Sequence, residues 1–363
     1  MAGLRVAVLF GGPSAEHEIS IRSADGLAQW LSESGLELLL VHLRRDGSSA
    51  IESVAAGSVD PGLASRLAAR GRGMAMPDAL RRLQAEADVA FPIIHGTIGE
   101  DGSIQGFLRV VGLPCVGAGV LASALSMDKG RAKAVLAAST DLAMPRDVVV
   151  SRAAFERARG DGAPPPWPPP WPPPWIVKPV DAGSSVGLAL ISEPAALPDA
   201  LARALAVEGV TAALIEEFVA GEEVTCAVVG DADHGFEALP PILILPRRGG
   251  LFDWEAKYSP GGSEELCPAP LPEPALERVR AAALKACRAL DVVGFARVDF
   301  ILRDGTPWFL ELNTLPGLTR ESLFPKAARA AGHSLPRLFR TMVERAVATP
   351  RPATAAASAK AAS

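Results

Sequence analysis

Apolar runs alternate with amphipathic stretches over the first third of the chain. Residues 4–10 form an apolar run that predicts a buried strand, and it ends at Gly11-Gly12. A helix is predicted from about Ser20, because apolar residues recur at positions 21, 24, 28 and 31. Further apolar segments at 37–43 and 88–94 predict two more strands. Residues 1–117 therefore predict an open, Rossmann-like α/β sheet whose ligands lie beyond the carboxyl ends of its strands.

The rest of the chain divides into two further α+β units and a tail. Residues 118–213 predict a smaller unit, with a helix from Ser126 or Asp128 and strands at 176–179 and 188–191. Residues 214–348 predict a strand-rich unit that ends in helices. Residues 349–363 are rich in alanine and have no hydrophobic face, so we expect this tail to be disordered.

Residues 163–175 contain three tandem Pro-Pro-Pro-Trp units. Because proline fixes φ and has no N–H, this insert is restricted to polyproline II or coil. One interpretation is a peptide that docks into an aromatic-lined groove, and the other is a low-complexity loop expansion. We favour the loop expansion, and we expect the insert to bulge into solvent and leave activity unchanged.

Composition and charge exclude several classes of protein. The 363 residues include 36 Lys and Arg against 41 Asp and Glu, so the net charge of −5 provides no basic surface for nucleic acid. No apolar run approaches the 18 residues that a membrane-spanning helix needs, at the least. The four cysteines are far apart and form no CxxC pair, which favours a reducing, cytoplasmic location. The glycine fingerprint of a dinucleotide-binding dehydrogenase is absent after the first strand.

Candidate chemistry is densest in residues 294–313, which predict a β-hairpin around Asp304-Gly305. Side chains alternate along a strand, so Arg297 and Asp299 share one face of the first strand, and positions 311 and 313 share one face of the second. A two-residue turn would place Asp299 and Glu311 on opposite faces. A three-residue loop at 304–306 would pair Asp299 with Glu311 and Arg297 with Asn313, and we predict this loop.

Two carboxylates and an amide on adjacent strands suit Mg²⁺, which takes oxygen ligands. The alternative is a solvated strand face with a cross-strand ion pair. The tight turn at 314–319 favours the metal site, because it offers backbone N–H groups to an oxyanion beside the metal.

Three weaker signals accompany the hairpin. Lys178 precedes a small-residue loop at 181–187 that is able to present N–H groups to phosphate, and Lys129 is a second of only seven lysines. Acidic residues at 216–217 and 222–223 suit adenine and ribose, or form an acidic turn at a domain boundary. The segment 249–262, with Lys257 and the only tyrosine, Tyr258, is either an active-site lid or an exposed Ω-loop.

The order of these segments resembles the bacterial D-alanine–D-alanine ligases of the ATP-grasp superfamily, over about residues 4–345. The most specific matches are HGTIGEDGSIQG at 95–106 and the RVDF and ELNTLPG segments at 297–317. Supporting matches are GGPSAEHEIS, SMDKGRAK, VKPVDAGSSVG and EAKYSPG. The resemblance implies an ATP-grasp fold with an N-terminal Rossmann-like open-sheet domain and two further α+β domains that clasp ATP. It also implies a cytoplasmic ligase that makes D-alanyl-D-alanine for peptidoglycan through an acyl phosphate, and relatives are commonly homodimers.

The resemblance also assigns substrate contacts residue by residue. Glu16 would hold the ammonium of the first D-alanine, and Ser184 and Tyr258 would complete a hydrogen-bonded triad with it. Ser322 would bind the carboxylate of the second D-alanine, and His95 would lie near both substrates.

The remaining assignments concern charge. Arg297 and the Gly317 N–H would stabilise the tetrahedral oxyanion. The residues that would bind ATP are Lys129, Lys178, Ser185, Glu216, Glu217, Val219, Glu223 and Lys257. The residues that would ligate two Mg²⁺ ions, or Mn²⁺, are Asp299, Glu311 and Asn313.

Two alternatives stay open at the level of sequence. One is a related ligase that joins D-alanine to D-serine or D-lactate, although Tyr258 argues against D-lactate. The other is a nucleotide-binding regulator that has lost catalysis, which would be expected to lack part of the metal and oxyanion set. That set is complete here.

Overall fold

The computed structural model describes residues 3–160, 167–183, 186–246 and 263–349. In these ranges three β-sheets carry helices on their faces. The predicted lid at 249–262 and all of the predicted tail except Thr349 lie outside the described residues. Among the helices that are described, none is long and apolar enough to cross a bilayer.

The N-terminal sheet has the order β3-β2-β1-β4. Its strands are β1 (Arg5–Gly11), β2 (Glu37–Leu43), β3 (Ser49–Val54) and β4 (Val89–Pro92). The helices of this unit are α1 (His17–Glu33), α2 (Leu63–Arg70), α3 (Met76–Glu86) and α4 (Ser103–Val110). The three predicted strands are confirmed, and β1 is parallel to both β2 and β4. The antiparallel edge strand β3 was not predicted, because its exposed polar residues hide the apolar pattern.

The central sheet has the order β5-β8-β6-β7. Its strands are β5 (Asp147–Ser151), β6 (Trp175–Pro179), β7 (Ala189–Ile191) and β8 (Ala212–Glu217). Two α-helices, α7 (Arg152–Gly160) and α8 (Leu197–Leu205), and a 3₁₀ turn at Pro194–Ala196 belong to this unit. Strand β8 pairs with both β5 and β6, so the predicted boundary at 213/214 cuts through a strand of this sheet.

The helices α5 (Val120–Met127) and α6 (Lys129–Ser139) also differ from the predicted division. They were assigned to the central unit, but Ala132 and Leu136 of α6 pack in one core with Val298 of the last sheet. The sequence does not reveal this, because an apolar helix face does not indicate which sheet it covers.

The large C-terminal sheet has the order β12-β11-β9-β13-β14, with β10 paired to β9. Its strands are β9 (Glu222–Asp231), β10 (Gly235–Ala238), β11 (Ile242–Pro246), β12 (Ser263–Leu266), β13 (Gly294–Arg303) and β14 (Thr306–Asn313). The helices of this unit are α9 (Glu273–Ala289), α10 (Leu323–Ala330) and α11 (Leu335–Ala348). Phe339 of α11 stacks on Trp30 of α1 at 5.5 Å, and Phe91 of β4 meets Phe295 of β13 at 5.7 Å. A continuous core therefore joins the first and last units.

The β13–β14 hairpin has the predicted register, but a different turn produces it. Asp299 pairs with Glu311 and Arg297 with Asn313, as predicted. The turn, however, has two residues, because Arg303 pairs with Thr306 and both Asp304 and Gly305 have positive φ (50° and 73°). The predicted three-residue loop is wrong. The register shifts by one between Asp299 and Phe300, which leaves Leu310 as the extra residue of a β-bulge.

The Pro/Trp insert does not bulge into solvent over its described part. Trp167, Trp171 and Trp175 are 4%, 8% and 2% exposed, and all three pack in the core of the central unit. The expectation of a solvent-exposed expansion is therefore wrong for residues 167–174. Large aromatic surfaces are favourably buried when a neighbouring core can take them, and proline content alone does not show this. Residues 163–166 lie outside the described ranges.

Candidate active site

A cleft between the central sheet and the large sheet collects most of the residues predicted to bind nucleotide and metal. Strands β6 and β8 form one wall, and β9, β13 and β14 form the other. The predicted residues that line this cleft are Lys129, Lys178, Glu216, Glu217, Val219, Glu223, Asp299 and Glu311. The bulge residue Leu310 also lines it.

Buried ion pairs hold the inner end of the cleft. Lys178 Nζ lies 2.6 Å from Glu216 Oε2, and Lys133 Nζ lies 2.8 Å from Glu216 Oε1. Burial alone would raise the pKa of Glu216, but the two lysines outweigh it and hold this pKa below its usual value. Burial would likewise lower the pKa of Lys178, and the charge of Glu216 reverses that effect and raises it. Glu216 is therefore ionised and fixed by both carboxylate oxygens.

Lys133 was not predicted as a site residue. Its ammonium also contacts Asp147 Oδ1 at 2.9 Å and donates a hydrogen bond to the Pro145 carbonyl at 2.7 Å. Two signals in the sequence point to it. It is one of only seven lysines, and it lies four residues after Lys129, on the same face of α6.

Lys129 connects the small-residue loop to the hairpin. It is the first residue of α6, and its ammonium donates to the Ala182 carbonyl at 2.9 Å. The same ammonium lies 3.3 Å from Glu311 Oε2. A cation in this position is close both to a candidate metal ligand and to the loop predicted to receive phosphate.

Asp299 lies at the centre of a hydrogen-bonded group on the hairpin. The Arg297 guanidinium donates to its two oxygens at 2.9 and 2.8 Å, and Thr225 Oγ1 donates at 2.6 Å. Asn313 Nδ2 donates to Asp299 Oδ2 at 3.2 Å. This fork-to-carboxylate contact fixes the plane of the guanidinium, so that Asp299 orients Arg297.

The oxygen donors fit a hard divalent cation. In the described part of the chain no group of three His, Cys, Asp or Glu side chains is arranged to hold a metal, so the set depends on the amide of Asn313. Asp299, Glu311 and Asn313 supply two carboxylates and one amide oxygen. A Mg²⁺ ion held by so few protein ligands needs water and phosphate oxygens to complete its shell, as expected when it arrives with a nucleotide.

A second group of predicted residues surrounds the carboxyl ends of β1 and β4. Ser14 Oγ donates to the His95 carbonyl at 2.6 Å, and Ser23 Oγ lies 3.0 Å from His95 Nε2. Burial lowers the pKa of His95, although the nearby charge of Glu16 opposes this effect. A Cβ on Gly96 or Gly183 would lie 3.1 or 2.9 Å from Glu16 Oε2, so the backbone passes close to this carboxylate on two sides.

The turn after β14 reaches the same region. Ser322 Oγ accepts from the Thr319 N–H at 3.0 Å, and a Cβ on Gly317 would lie 2.9 Å from Ser322 Oγ. Ser322 is the residue before α10, so its hydroxyl lies at a helix N-terminus that favours a carboxylate. The Leu318 N–H donates to Ser23 Oγ at 3.2 Å, which ties this turn to α1.

Glu100 is a further residue that the predictions missed, although it lies within the segment 95–106. Its Oε2 accepts from the Gly96 N–H at 2.6 Å. Burial, with a further contribution from the charge of Glu16, raises the pKa of Glu100 to about 8. A carboxyl group held neutral beside Glu16 is able to donate a hydrogen bond at neutral pH.

Four predicted residues lie outside the described ranges: Ser184, Ser185, Lys257 and Tyr258. The predicted triad of Glu16, Ser184 and Tyr258 therefore has only one described member.

Known proteins of one family are similar to this chain along nearly its whole length. A family model described as D-ala D-ala ligase N-terminus matches residues 5–118, and one described as D-ala D-ala ligase C-terminus matches residues 171–344. The D-alanine–D-alanine ligase of Desulforudis audaxviator (strain MP104C) is 36% identical over 339 residues, which covers 93% of this chain and 97% of that protein.

Two solved structures are also similar. The VanG D-Ala:D-Ser ligase from Enterococcus faecalis has a TM-score of 0.76 and 27% identity, covering 95% of this chain and 99% of that one. The D-alanine–D-alanine ligase from Coxiella burnetii has a TM-score of 0.74 and 25% identity, covering 96% of this chain and 94% of that one.

Proposed function

Because this chain belongs to the D-alanine–D-alanine ligase family, we propose a mechanism in which its named residues join two D-alanine molecules with ATP. The predicted ATP-grasp fold class is confirmed by the solved relatives. The chain is an ATP-dependent ligase of cell-wall precursor synthesis. The observation that carries the mechanism is the Arg297–Asp299 contact, which joins the nucleotide cleft to the region around Glu16 and His95.

The first step activates a carboxylate. A carboxylate oxygen of the first D-alanine attacks the γ-phosphorus of ATP, the bond to the bridging oxygen breaks, and ADP leaves with that electron pair. Transfer of a phosphoryl group depends mainly on positioning and on neutralising charge. Lys129 and Lys178 supply positive charge to the phosphates, while Glu216, Glu217, Val219 and Glu223 line the part of the cleft assigned to adenine and ribose.

Asp299, Glu311 and Asn313 would hold two Mg²⁺ ions, and Mn²⁺ has a similar preference for oxygen ligands. When bound, the metal neutralises charge on the β- and γ-phosphates. Lys129 already contacts Glu311, so this carboxylate lies within reach of the phosphate-binding end of the cleft.

The second step forms the amide bond. The neutral amine of the second D-alanine attacks the carbonyl carbon of the acyl phosphate and forms a tetrahedral oxyanion. The oxyanion collapses, the carbon–oxygen bond to phosphate breaks, and the departing phosphate takes the electron pair and the proton that the nitrogen loses. Arg297 and the Gly317 N–H stabilise this oxyanion, and Asp299 keeps the guanidinium in place.

Contacts to the amino acids follow the family pattern. Glu16 holds the ammonium of the first D-alanine, Ser322 at the N-terminus of α10 holds the carboxylate of the second, and His95 lies near the substrates. Ser184 and Tyr258 take the triad roles that the resemblance assigns to them, and Ser185 and Lys257 contact ATP.

The experiment that tests this function is phosphate release with ATP, Mg²⁺ and D-alanine, alone or with D-serine or D-lactate as second substrate. We expect D-alanyl-D-alanine as the main product, identified by mass spectrometry. A main product containing D-serine would assign the chain to the D-alanine–D-serine ligases, the activity named for the Enterococcus faecalis relative. Absence of ADP formation under every condition would contradict the mechanism.

Location and assembly are also part of the proposal. We propose that the enzyme works in the cytoplasm, where ATP is available and where its four unpaired cysteines stay reduced. We also propose a homodimer, since apolar side chains on α4 and α5 are exposed to solvent, including Val110 at 80% and Leu121 at 65%.

A further inference from the structure

The described part of the Pro/Trp insert has two different sides. Trp167, Trp171 and Trp175 are buried in the core of the central unit. Of the described prolines between them, four are exposed, Pro169 is buried and Pro173 is half-buried. The four-residue repeat therefore places all three tryptophans against the core and leaves most of the described prolines on the surface.

One tryptophan of the insert connects to the nucleotide cleft through an arginine. The Arg146 guanidinium lies over the ring of Trp171, 5.0 Å from its centroid. Arg146 Nε in turn donates to Glu217 Oε2 at 2.7 Å, and Glu217 lines the cleft. The Arg146 side chain is 58% exposed, so without a support its conformation would be poorly fixed. The buried indole face provides that support through a cation–π contact.

The backbone makes a second connection. The Pro174 carbonyl accepts from the Phe218 N–H at 3.2 Å, and Phe218 also lines the cleft. Trp175 Nε1 donates to the Trp171 carbonyl at 3.2 Å, which fixes the insert against β6. The insert thus holds the 217–218 segment through one side chain and one peptide group.

We propose that Trp171 is a positioning residue for the nucleotide pocket, acting through Arg146 on Glu217. The inference rests on the proposed assignment of this cleft to ATP. Trp167 is a natural comparison within the insert, because it stacks on Phe155 at 5.5 Å, a partner outside the nucleotide cleft.

The test compares Trp171→Leu with Trp167→Leu by steady-state kinetics. We expect Trp171→Leu to raise KM for ATP about three- to tenfold, the size of one lost cation–π contact, with KM for D-alanine unchanged. Trp171→Phe should restore most of the ATP affinity, because it keeps an aromatic face and Trp171 Nε1 has no hydrogen-bond partner among the described residues. Trp167→Leu should lower the melting temperature without changing KM for ATP.

Arg146→Ala tests the proposed role of Trp171 even if Trp171→Leu does not fold, because Arg146 is exposed and its loss leaves the core intact. It should raise KM for ATP as much as Trp171→Leu does, and the double variant should add little to either single variant. The inference is overturned if Arg146→Ala leaves KM for ATP unchanged, or if the two effects are additive. Lys178→Ala separates the two proposals: unchanged nucleotide affinity in that variant would refute the cleft assignment itself.

Discussion

At the scale of single residues, the charged side chains in and beside the cleft form ion pairs with one another. Lys178 and Lys133 pair with Glu216, Lys129 approaches Glu311, and Arg297 holds Asp299. Buried charges need partners, and here the partners of the candidate phosphate-binding cations include a candidate metal-binding carboxylate. Binding of the nucleotide with its metal would exchange these internal pairs for pairs with phosphate and Mg²⁺, so the charges have partners both with and without the nucleotide.

The proposed metal site predicts that neutralising Asp299 lowers activity, whereas neutralising a carboxylate elsewhere on the same hairpin does not. Asp299→Asn should lower Mg²⁺-dependent ADP release about 100-fold or more, because it removes a metal ligand and the charge that orients Arg297. The matched control is Asp304→Asn, an exposed carboxylate in the turn of the same hairpin. ADP release measured across a Mg²⁺ titration should be normal in the control. Near-normal turnover of Asp299→Asn would remove this residue from the metal site.

Glu100 predicts a dependence of stability on pH. Its pKa rises from 4.5 to about 8 on folding, so the folded protein keeps a proton that the unfolded chain has released between these values. Stability should therefore fall as pH rises from 4.5 to 8, by on the order of 4 kcal/mol from this group. Urea unfolding of Glu100→Gln at pH 5.5 and 8 should show a smaller difference than the unmodified protein. An equal difference in both proteins would contradict the shifted pKa.

At the scale of elements, close packing of helix α1 against the turn after β14 positions the proposed oxyanion site. Helix α1 approaches the turn after β14 so closely that a Cβ on Gly26 would overlap the Leu318 carbonyl oxygen. Leu318 directly follows Gly317, whose N–H is assigned to the oxyanion. Only a glycine at position 26 therefore allows the turn to lie this close to α1.

This packing predicts opposite effects for two helical glycines. Gly26→Ala should destabilise the protein by about 1–3 kcal/mol through overpacking, and it should lower kcat by displacing Gly317. Gly106→Ala in α4 should stabilise it by up to about 1 kcal/mol, since a Cβ there would lie 3.9 Å from its nearest neighbour and Gly disfavours helix. Thermal unfolding and kcat of the two variants test this, and effects of the same sign would contradict the packing argument.

At the scale of the whole molecule, the central and large sheets enclose the cleft, and a shared core joins the first unit to the last. Phe295 and Phe339 contact aromatic residues of the N-terminal unit, so the region around Glu16 is fixed relative to the hairpin. The central sheet supplies the opposite wall of the nucleotide cleft. The exposed apolar surface on α4 and α5 lies outside this arrangement.

The homodimer proposal predicts that one charge on that surface changes the assembly. Leu121→Arg should convert a dimer to a monomer in light scattering after size exclusion, because an unpaired charge in an apolar interface is costly. Leu190→Arg, which alters a 42% exposed leucine on β7, should leave the molar mass unchanged. A monomeric unmodified protein, or a Leu121→Arg variant that stays dimeric, would contradict the proposal.

The sequence by itself determined the local features. Strand and helix periodicities follow from backbone geometry, so the strands bearing Asp299 and Glu311 and the face that each side chain shares were predictable. The short motifs and their order along the chain identified the family. Each motif is a run of a few neighbouring residues, so it can be recognised without the tertiary structure.

Only the tertiary structure decided what those features meet. The Asp299–Glu311 pairing arises from a two-residue turn compensated by a bulge at Leu310, and not from the longer loop that local reasoning favoured. The tryptophans of the insert are buried because the central core accepts them. The raised pKa of Glu100 likewise arises from burial and from Glu16, which is 84 positions away in sequence. Burial, register and pKa depend on groups that are distant along the chain, and a local pattern carries no information about them.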